Sequence, residues 1–152
     1  MPSNSDQAWT ERLAQLGLII QHHVSALLRD AFQTGTHSLT RSVAEEGGDC
    51  IYSIDRAVEP LIVKEIETWP GECFPLMLIS EGLGQDGRRC FGPPGQPLRF
   101  RLIVDPIDGT RMLMYDKRSA WFLAAVAEDC GETTSLAGTF ASVLTELPTS
   151  RQ

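Results

Sequence analysis

Two aspartates three positions apart, Asp105 and Asp108, are the clearest candidates for chemistry in this chain. They lie in the stretch LIVDPIDGT, residues 102–110, where an apolar run leads to the acids and Gly-Thr follows them. Carboxylate oxygens are ligands that suit Mg²⁺, Mn²⁺ or Ca²⁺. Gly109 allows close backbone approach to a ligand, and amides at the start of a helix just beyond it would bind an anion. A metal-bound phosphate needs both kinds of group.

The same pair of acids also has a simpler explanation, because Asp before Pro and Asp before Gly are common turn formers. Two further acids favour a metal site. Glu81 directly follows an apolar run, and Asp55 follows the short extended segment 50–53. Taken singly, Glu81 is a loop acid and Asp55 is a helix N-cap. Taken together, three segment ends carry carboxylates without a His or Cys cluster, which favours Mg²⁺, Mn²⁺ or Ca²⁺ over zinc.

The helices and the first strand that would position these acids follow from apolar spacing. Apolar residues recur at helical spacing across residues 7–32, with Ser5 or Asp6 as cap, and again across residues 56–69. The continuous apolar run 74–80 predicts a buried strand that ends at Glu81. The acids would therefore be carried by one helix end and by strand ends.

The second half of the chain predicts further strands. Apolar and polar residues alternate over 98–105, and Pro106 lacks an amide donor, so this strand is expected to end at Asp105. Two helices followed by several strands predict an α+β domain, a mostly antiparallel sheet packed against two long helices. The remaining predicted elements are a short helix at 111–115 and strands within 119–128 and 135–148.

Composition and charge limit the class of protein. The chain has 152 residues, which suffices for one domain with a core but not for two ordinary ones. Its formal net charge of -7 argues against a nucleic-acid polymer or an anionic membrane as partner. No stretch has the length of a membrane span, the N-terminus lacks signal-peptide features, and the four cysteines lack CxxC spacing. These features predict a cytoplasmic protein with reduced thiols.

The adjacent acids Glu45 and Glu46 are expected in a solvated loop.

The string DPIDGT, residues 105–110, resembles the signature of the lithium-sensitive, magnesium-dependent phosphatases. This group includes inositol monophosphatases, fructose-1,6-bisphosphatases and 3′(2′),5′-bisphosphate nucleotidases. The order of a long helix, SIDRAVEP, LISEG and VDPIDGT is also similar to the family's, as far as about Leu147. The resemblance implies a Mg²⁺-dependent phosphomonoesterase of the inositol monophosphatase type that hydrolyses a sugar or inositol phosphate. The alternatives are a 3′(2′),5′-bisphosphate nucleotidase and a non-catalytic fragment that acts only by binding.

The resemblance implies metal-binding roles for four residues. Glu81 matches a metal-ligating glutamate, and Asp105 matches the aspartate that bridges two ions. Ile107 matches a ligand that binds through its backbone carbonyl, and Asp108 matches a ligand of the second ion. The implied cofactor is Mg²⁺, which Mn²⁺ could replace, and inhibition by Li⁺ is expected from the family.

The resemblance also implies how substrate and water would be held. Gly109 and Thr110 match the amides that bind substrate phosphate. Asp55 and the Thr110 hydroxyl resemble the pair that orients and deprotonates the attacking water. In such an enzyme a metal-activated water attacks phosphorus in line and a second ion stabilises the leaving oxygen.

The chain departs from the family in several places. Gly82 stands where a second acid is common, and Arg111-Met112 stands where a small polar residue and Asn are common. No Asp follows Asp129, although the family's second half supplies another metal-binding aspartate and most of the substrate pocket. We therefore expect residues 1–152 to form a metal-binding N-terminal phosphatase domain, weakly active or inactive alone, with the C-terminal substrate domain absent from this chain. The implied partners are a small phosphorylated substrate and, as one option, a second copy in a homodimer.

Overall fold

The computed structural model describes residues 4–34, 42–46, 49–81, 83 and 86–150, and side chains within 5–33, 54–81, 83 and 86–150. The elements follow one another as helix, hairpin, helix, strands, a short helix and two long strands. In chain order they are α1 (Asn4–Thr34), β1 (Ser42–Glu46), β2 (Asp49–Tyr52), α2 (Ser53–Glu67), β3 (Leu76–Ser80), β4 (Arg88–Phe91), β5 (Phe100–Asp108), α3 (Thr110–Met114), β6 (Ala120–Glu128) and β7 (Thr139–Leu147).

The main sheet has five strands in the order β4-β3-β5-β6-β7. Only the β3–β5 pair is parallel, and the other three pairs are antiparallel. The helix α1 packs against β7 and β6, while α2 contacts α1 and β5. The predicted α+β class, a mostly antiparallel sheet with two long helices, is therefore confirmed.

The core lies between the helices and one face of the sheet. On α1 the buried side chains recur at the helical spacing predicted from the sequence: Trp9, Leu13, Leu16, Ile20, Val24 and Leu28. On β5, Leu102 and Val104 point into the core and Ile103 points to the opposite face, where it is 40% exposed. The predicted alternation of this strand is therefore confirmed.

Gly17 allows α1 to lie close to the sheet. A Cβ atom at this position would collide with Thr145 Oγ1 on β7 and would lie 3.2 Å from Phe122 Cδ1 on β6. A glycine is therefore required where the helix crosses these two strands, because any side chain would push the helix away from them.

The second helix begins earlier than the sequence predicts. The expected range was 56–69, whereas α2 runs from Ser53 to Glu67. The apolar stripe extends one turn further towards the N-terminus, because Ile54 and Val58, four positions apart, are both fully buried. Asp55 consequently lies inside the first turn of α2, and its interpretation as an N-cap is wrong.

The strand that carries the DPIDGT string does not end at Asp105, as expected from Pro106. It continues to Asp108, with a register irregularity between Asp105 and Asp108 opposite β6. A proline is tolerated at such a bulge because the ladder hydrogen bond that it cannot donate is already missing there.

Glu45 and Glu46 were expected in a loop but lie in β1. They pair with Cys50 and Asp49 of β2 in a two-stranded antiparallel sheet. The sequence of β1 lacks a strong strand pattern, so its extended form depends on this partner. In the part of the chain that the structure describes, no helix combines the length and apolar character needed to cross a membrane.

Candidate active site

The parallel pair β3–β5 brings Glu81 and Asp105 to the same end of the sheet. Ser80 and Val104 are register partners, and each of these acids is the next residue along its strand. Both are solvent-accessible. The sequence placed each acid at a strand end, and the parallel pairing makes those two ends neighbours.

The bulge in β5 turns Asp105 and Asp108 towards solvent together. In a regular strand, residues three positions apart would point to opposite faces of the sheet. Here Pro106 and Ile107 are both buried, so the alternation changes phase and both aspartates stay exposed. The Ile107 amide donates a 3.2 Å hydrogen bond to Asp105 Oδ1, which fixes the first carboxylate against its own strand.

Desolvation and neighbouring carboxylates together raise the pKa of Asp105. The largest cause is desolvation of the carboxyl group by the surrounding protein atoms, although the residue as a whole remains exposed. The charge of Asp108 raises the pKa further, followed by those of Glu81 and Asp55. The Ile107 amide acts in the opposite direction, and the result is a pKa raised from 3.8 to about 6. Among the residues that the structure describes, no cation influences this carboxyl group. Asp55, Glu81 and Asp108 therefore lie close enough to Asp105 to disfavour its ionised form, and a divalent cation would relieve that repulsion.

Thr110 joins α3 to α2 through its hydroxyl group. Its Oγ1 lies 2.9 Å from Asp55 Oδ1 and 2.6 Å from the carbonyl oxygen of Ile107. Both neighbours are acceptors when Asp55 is ionised, and the hydroxyl has a single hydrogen to donate. The two acceptors therefore compete for one hydrogen.

Gly109 forms the turn between β5 and α3. It adopts a left-handed conformation with φ 93°, which side chains other than glycine adopt only with strain. Its carbonyl accepts hydrogen bonds from the amides of Met112 and Leu113, at 3.0 and 3.2 Å. The amides of Gly109 and Thr110 thus lie beside the acids at the start of the short helix.

The donor set fits a hard cation, although the acids do not form a closed cage as they stand. Within the described ranges, no three His, Cys, Asp or Glu side chains are grouped closely enough to hold an ion by themselves. Mg²⁺ does not need such a cage, because it usually keeps several waters and binds one or two carboxylates with substrate phosphate. Asp105 and Asp108, with the Ile107 carbonyl and the nearby Glu81, offer that all-oxygen set. Their individual roles stay predictions.

Asp116 is a supporting residue that sequence reasoning missed. It follows α3 with φ 52°, and its Oδ1 accepts a 2.7 Å hydrogen bond from the Ser150 amide. Its Oδ2 accepts a second bond, at 2.9 Å, from the Ser150 hydroxyl. An Asp just after a short helix is a known candidate for the left-handed region. That signal could have indicated the turn, although not its distant partner.

A cavity of about 460 Å³ lies at the other end of the sheet, away from these acids. Its lining includes Ser5 at the start of α1, Glu128 at the end of β6 and Phe140 on β7. None of the predicted site residues contributes to it. The candidate site is therefore the open rim at the ends of β3 and β5.

The chain matches known proteins by structure but not by sequence. No family model matches the chain, and no curated protein matches it by sequence. Solved structures do match. Fructose-1,6-bisphosphatase from Leishmania major, in holo form, superposes with a TM-score of 0.63 at 13% identity, over 97% of this chain and 50% of that one. The chain has the fold of these phosphatases.

Two other structures with this fold support the same conclusion. The suhB protein of Bartonella henselae gives a TM-score of 0.54 at 16% identity, over 80% of this chain and 40% of that one. A putative sedoheptulose-1,7 bisphosphatase from Toxoplasma gondii gives 0.53 at 19%, over 97% and 48%. The chain thus spans half or less of each of these proteins. The resemblance indicated by DPIDGT is confirmed at the level of the fold.

Proposed function

We propose that this chain carries the catalytic metal site of a Mg²⁺-dependent phosphomonoesterase of the inositol monophosphatase type, acting on a sugar or inositol phosphate. The observation that carries the proposal is the position of Glu81, Asp105 and Asp108 at one end of the sheet, with Asp55 linked to them through Thr110. The shared fold supports it, since two of the three solved structures are described as sugar bisphosphatases.

The metal would be held by Glu81, Asp105, Asp108 and the carbonyl of Ile107. Mg²⁺ is the expected ion, and Mn²⁺ prefers similar oxygen ligands. When bound, it supplies positive charge that lowers the pKa of a water and stabilises charge on phosphoryl oxygens. The raised pKa of Asp105 supports this assignment, because nearby carboxylates disfavour its ionised form and a cation would favour it.

The substrate phosphate would be held by the amides of Gly109 and Thr110. The left-handed Gly109 turns the backbone so that these amides stand beside Asp105 and Asp108. Backbone N–H groups bind phosphate oxygens without bringing a competing charge to the metal site.

Thr110 and Asp55 would handle the proton of the attacking water. If the Ile107 carbonyl held the ion, the Thr110 hydroxyl would donate its single hydrogen to Asp55, which lies 2.9 Å away. The Thr110 oxygen then accepts a hydrogen from water and orients that water towards phosphorus. Asp55 orients Thr110 in turn, and this pair takes up the proton during attack.

The expected setting is the cytoplasm, with a small phosphorylated molecule as the substrate. The net charge of -7 disfavours polyanionic partners, and Cys73, Cys90 and Cys130 are free thiols. That residues 1–152 form an N-terminal domain of a larger enzyme stays a prediction. This domain assignment predicts slow turnover for residues 1–152 alone.

The direct test is phosphate release by the purified chain with inositol 1-phosphate, glucose 6-phosphate and fructose 1,6-bisphosphate. We expect release that needs Mg²⁺, is inhibited by Li⁺ and is lost in Asp105→Asn. Glu132→Gln, an exposed acid at the opposite end of the sheet, serves as the control. Release that is unaffected by Mg²⁺ and by Asp105→Asn would contradict the proposal, as would the absence of both phosphate release and metal binding.

A further inference from the structure

The face of the sheet that points away from the two long helices is apolar. On β5 and β6, Leu102 and Phe122 are fully buried in the core, whereas Ile103 and Trp121, one position away on each strand, are 40% and 38% exposed. On β7, Leu144 is 60% exposed. With the partly buried residues between them, these side chains form a surface that we call the outer face, which consists of Met77, Ile79, Ile103, Trp121, Leu123, Ala125 and Leu144.

The sequence of β6 is that of a strand buried on both faces. A sheet with one solvated face alternates apolar and polar residues, whereas a sheet that is covered on both faces carries continuous apolar runs. In β6 every residue from Ala120 to Ala127 is apolar. The sheet register joins the outward residues into one patch, because Leu123 lies opposite Leu144 and Ile103 lies opposite Ala125. A contiguous apolar patch of this kind marks a docking surface.

The charges along β5 make this face complementary to a second copy of itself. The outward positions read Arg101, Ile103 and Asp105, which are a cation, an apolar residue and an acid. Arg101 is paired with Asp129, and its side chain is still 27% exposed. A two-fold axis perpendicular to the strands stacks two copies with antiparallel strands, which brings Arg101 of each copy to the acid end of the other. Parallel stacking would instead bring the two groups of acids together.

The size of the outer face fits a small dimer interface. The strands β5, β6 and β7 have 9 residues each, and β3 has 5. With about 3.3 Å per residue and about 4.8 Å between strands, these four strands cover roughly 500 Å². Two copies would then bury about 1,000 Å² in total, which is near the lower limit for a specific interface. The expected affinity is therefore in the micromolar range.

We propose that the outer face is a homodimer interface, in which two copies of this chain stack face to face with antiparallel strands. Sheets that stack in this way lie about 10 Å apart, and their side chains interdigitate. Trp121 and Leu144 would lose their exposure to solvent, and the burial of this apolar surface drives association. The inference goes beyond the proposed function, because it concerns assembly and does not depend on phosphatase activity.

The test is the mass of the full chain in solution, measured by sedimentation equilibrium in EDTA so that no metal bridges the acids. The parent should be a dimer at about 100 µM and should dissociate on dilution below about 1 µM, as a micromolar affinity requires. Leu144→Glu and, separately, Ile103→Glu should be largely monomeric at the higher concentration. A two-fold interface contains each substitution twice, so a tenfold loss for each copy raises the dissociation constant about a hundredfold.

A matched control is available on the opposite side of the sheet. Leu18 on α1 is 44% exposed, so Leu18→Glu makes the same change at a similarly exposed leucine outside the outer face. This variant should dimerise as the parent does. Far-UV circular dichroism and melting temperature should match the parent in all three variants, because each replaces an exposed side chain.

Tryptophan fluorescence locates the interface independently. Trp9 and Trp69 are 3% and 7% exposed, so Trp121 is the most accessible of the three indoles. Quenching by iodide should therefore increase when the parent is diluted from dimer to monomer. In Trp121→Phe, which keeps an apolar ring at this position, the increase should disappear.

The results that would overturn the proposal are distinct. A parent that stays monomeric at the highest concentration leaves the outer face to a different protein or domain. A dimer that persists in Leu144→Glu or in Ile103→Glu uses another surface, such as the edge of β7. Growth beyond the dimer contradicts a closed two-fold interface. Iodide quenching of the parent that does not change on dilution places Trp121 outside the contact.

Discussion

The Thr110 hydroxyl lies 2.9 Å from Asp55 Oδ1 and so connects the short helix beside the acids to the first turn of α2. The two residues are 55 positions apart in the chain. They are the only two site residues to which we assign proton transfer, and Thr110 has no acidic group of its own. Its contribution therefore depends on this contact.

Replacing Thr110 tests that contact. We expect Thr110→Ala to lower the rate of phosphate release by about 10²–10⁴-fold, the usual range for general acid–base assistance. Mg²⁺ affinity should change little, because the hydroxyl is not among the proposed ligands. Thr110→Ser, which keeps a hydroxyl, is the matched control. Full turnover in Thr110→Ala would reduce Thr110 to a residue that only shapes the turn.

Metal binding should stabilise the fold. We expect millimolar Mg²⁺ or Mn²⁺ to raise the melting temperature, because a ligand that binds only the folded chain shifts the equilibrium towards it. Asp105→Asn should abolish the rise, whereas Glu132→Gln should leave it in place. If Asp105→Asn responds to the metal as the parent does, Asp105 is not a ligand.

In the absence of divalent cations, stability should fall as pH rises. The pKa of Asp105 is raised from 3.8 to about 6 in the folded chain, so between these values the folded form binds more protons than the unfolded form. The free energy of unfolding therefore decreases with pH across this window. Urea titrations in EDTA between about pH 4 and 7 should show a shallower decrease for Asp105→Asn. An identical slope in the two proteins would contradict the raised pKa.

The contact between α1 and the sheet gives a stability prediction. Gly17→Val should lower the free energy of unfolding by about 1–3 kcal/mol, because the new side chain overpacks against Thr145 and Phe122. Adding Thr145→Ala should recover part of the loss in a double-mutant cycle. Gly138→Val, where nothing lies within 4 Å of the Cβ position, should change stability by less than about 0.5 kcal/mol. Equal effects at Gly17 and Gly138 would contradict the close approach.

The acids could be found from sequence because each lies at the end of a segment with a clear pattern. Glu81 closes an apolar run, and Asp105 ends the alternating stretch 98–105, although the strand itself continues to Asp108. Their proximity could not be derived in this way, because apolar spacing identifies strands without identifying their partners. The parallel register of Ser80 with Val104 is a property of the assembled sheet.

Where the structure differs locally from the sequence-based predictions, the cause again lies in contacts with distant parts of the chain. The missing amide of Pro106 indicated a strand end, but β6 accommodates it through an irregular register. The sequence suggests Asp55 as an N-cap because only one apolar residue of the stripe, Ile54, precedes it. The sequence around Asp116 could indicate the turn but not its partner, since Ser150 lies 34 positions away.

The single parallel pair in the sheet makes the acid cluster dependent on cooperative folding. A parallel connection cannot be closed by a tight turn, so β3 and β5 meet only after the intervening chain, including β4, has crossed back. Before that closure, Glu81 and Asp105 are unrelated in space, and Asp55 has no Thr110 to contact. Such non-local pairing forms slowly compared with helices. The cluster exists only in the assembled domain, so an ion bound there contributes its binding free energy directly to folding.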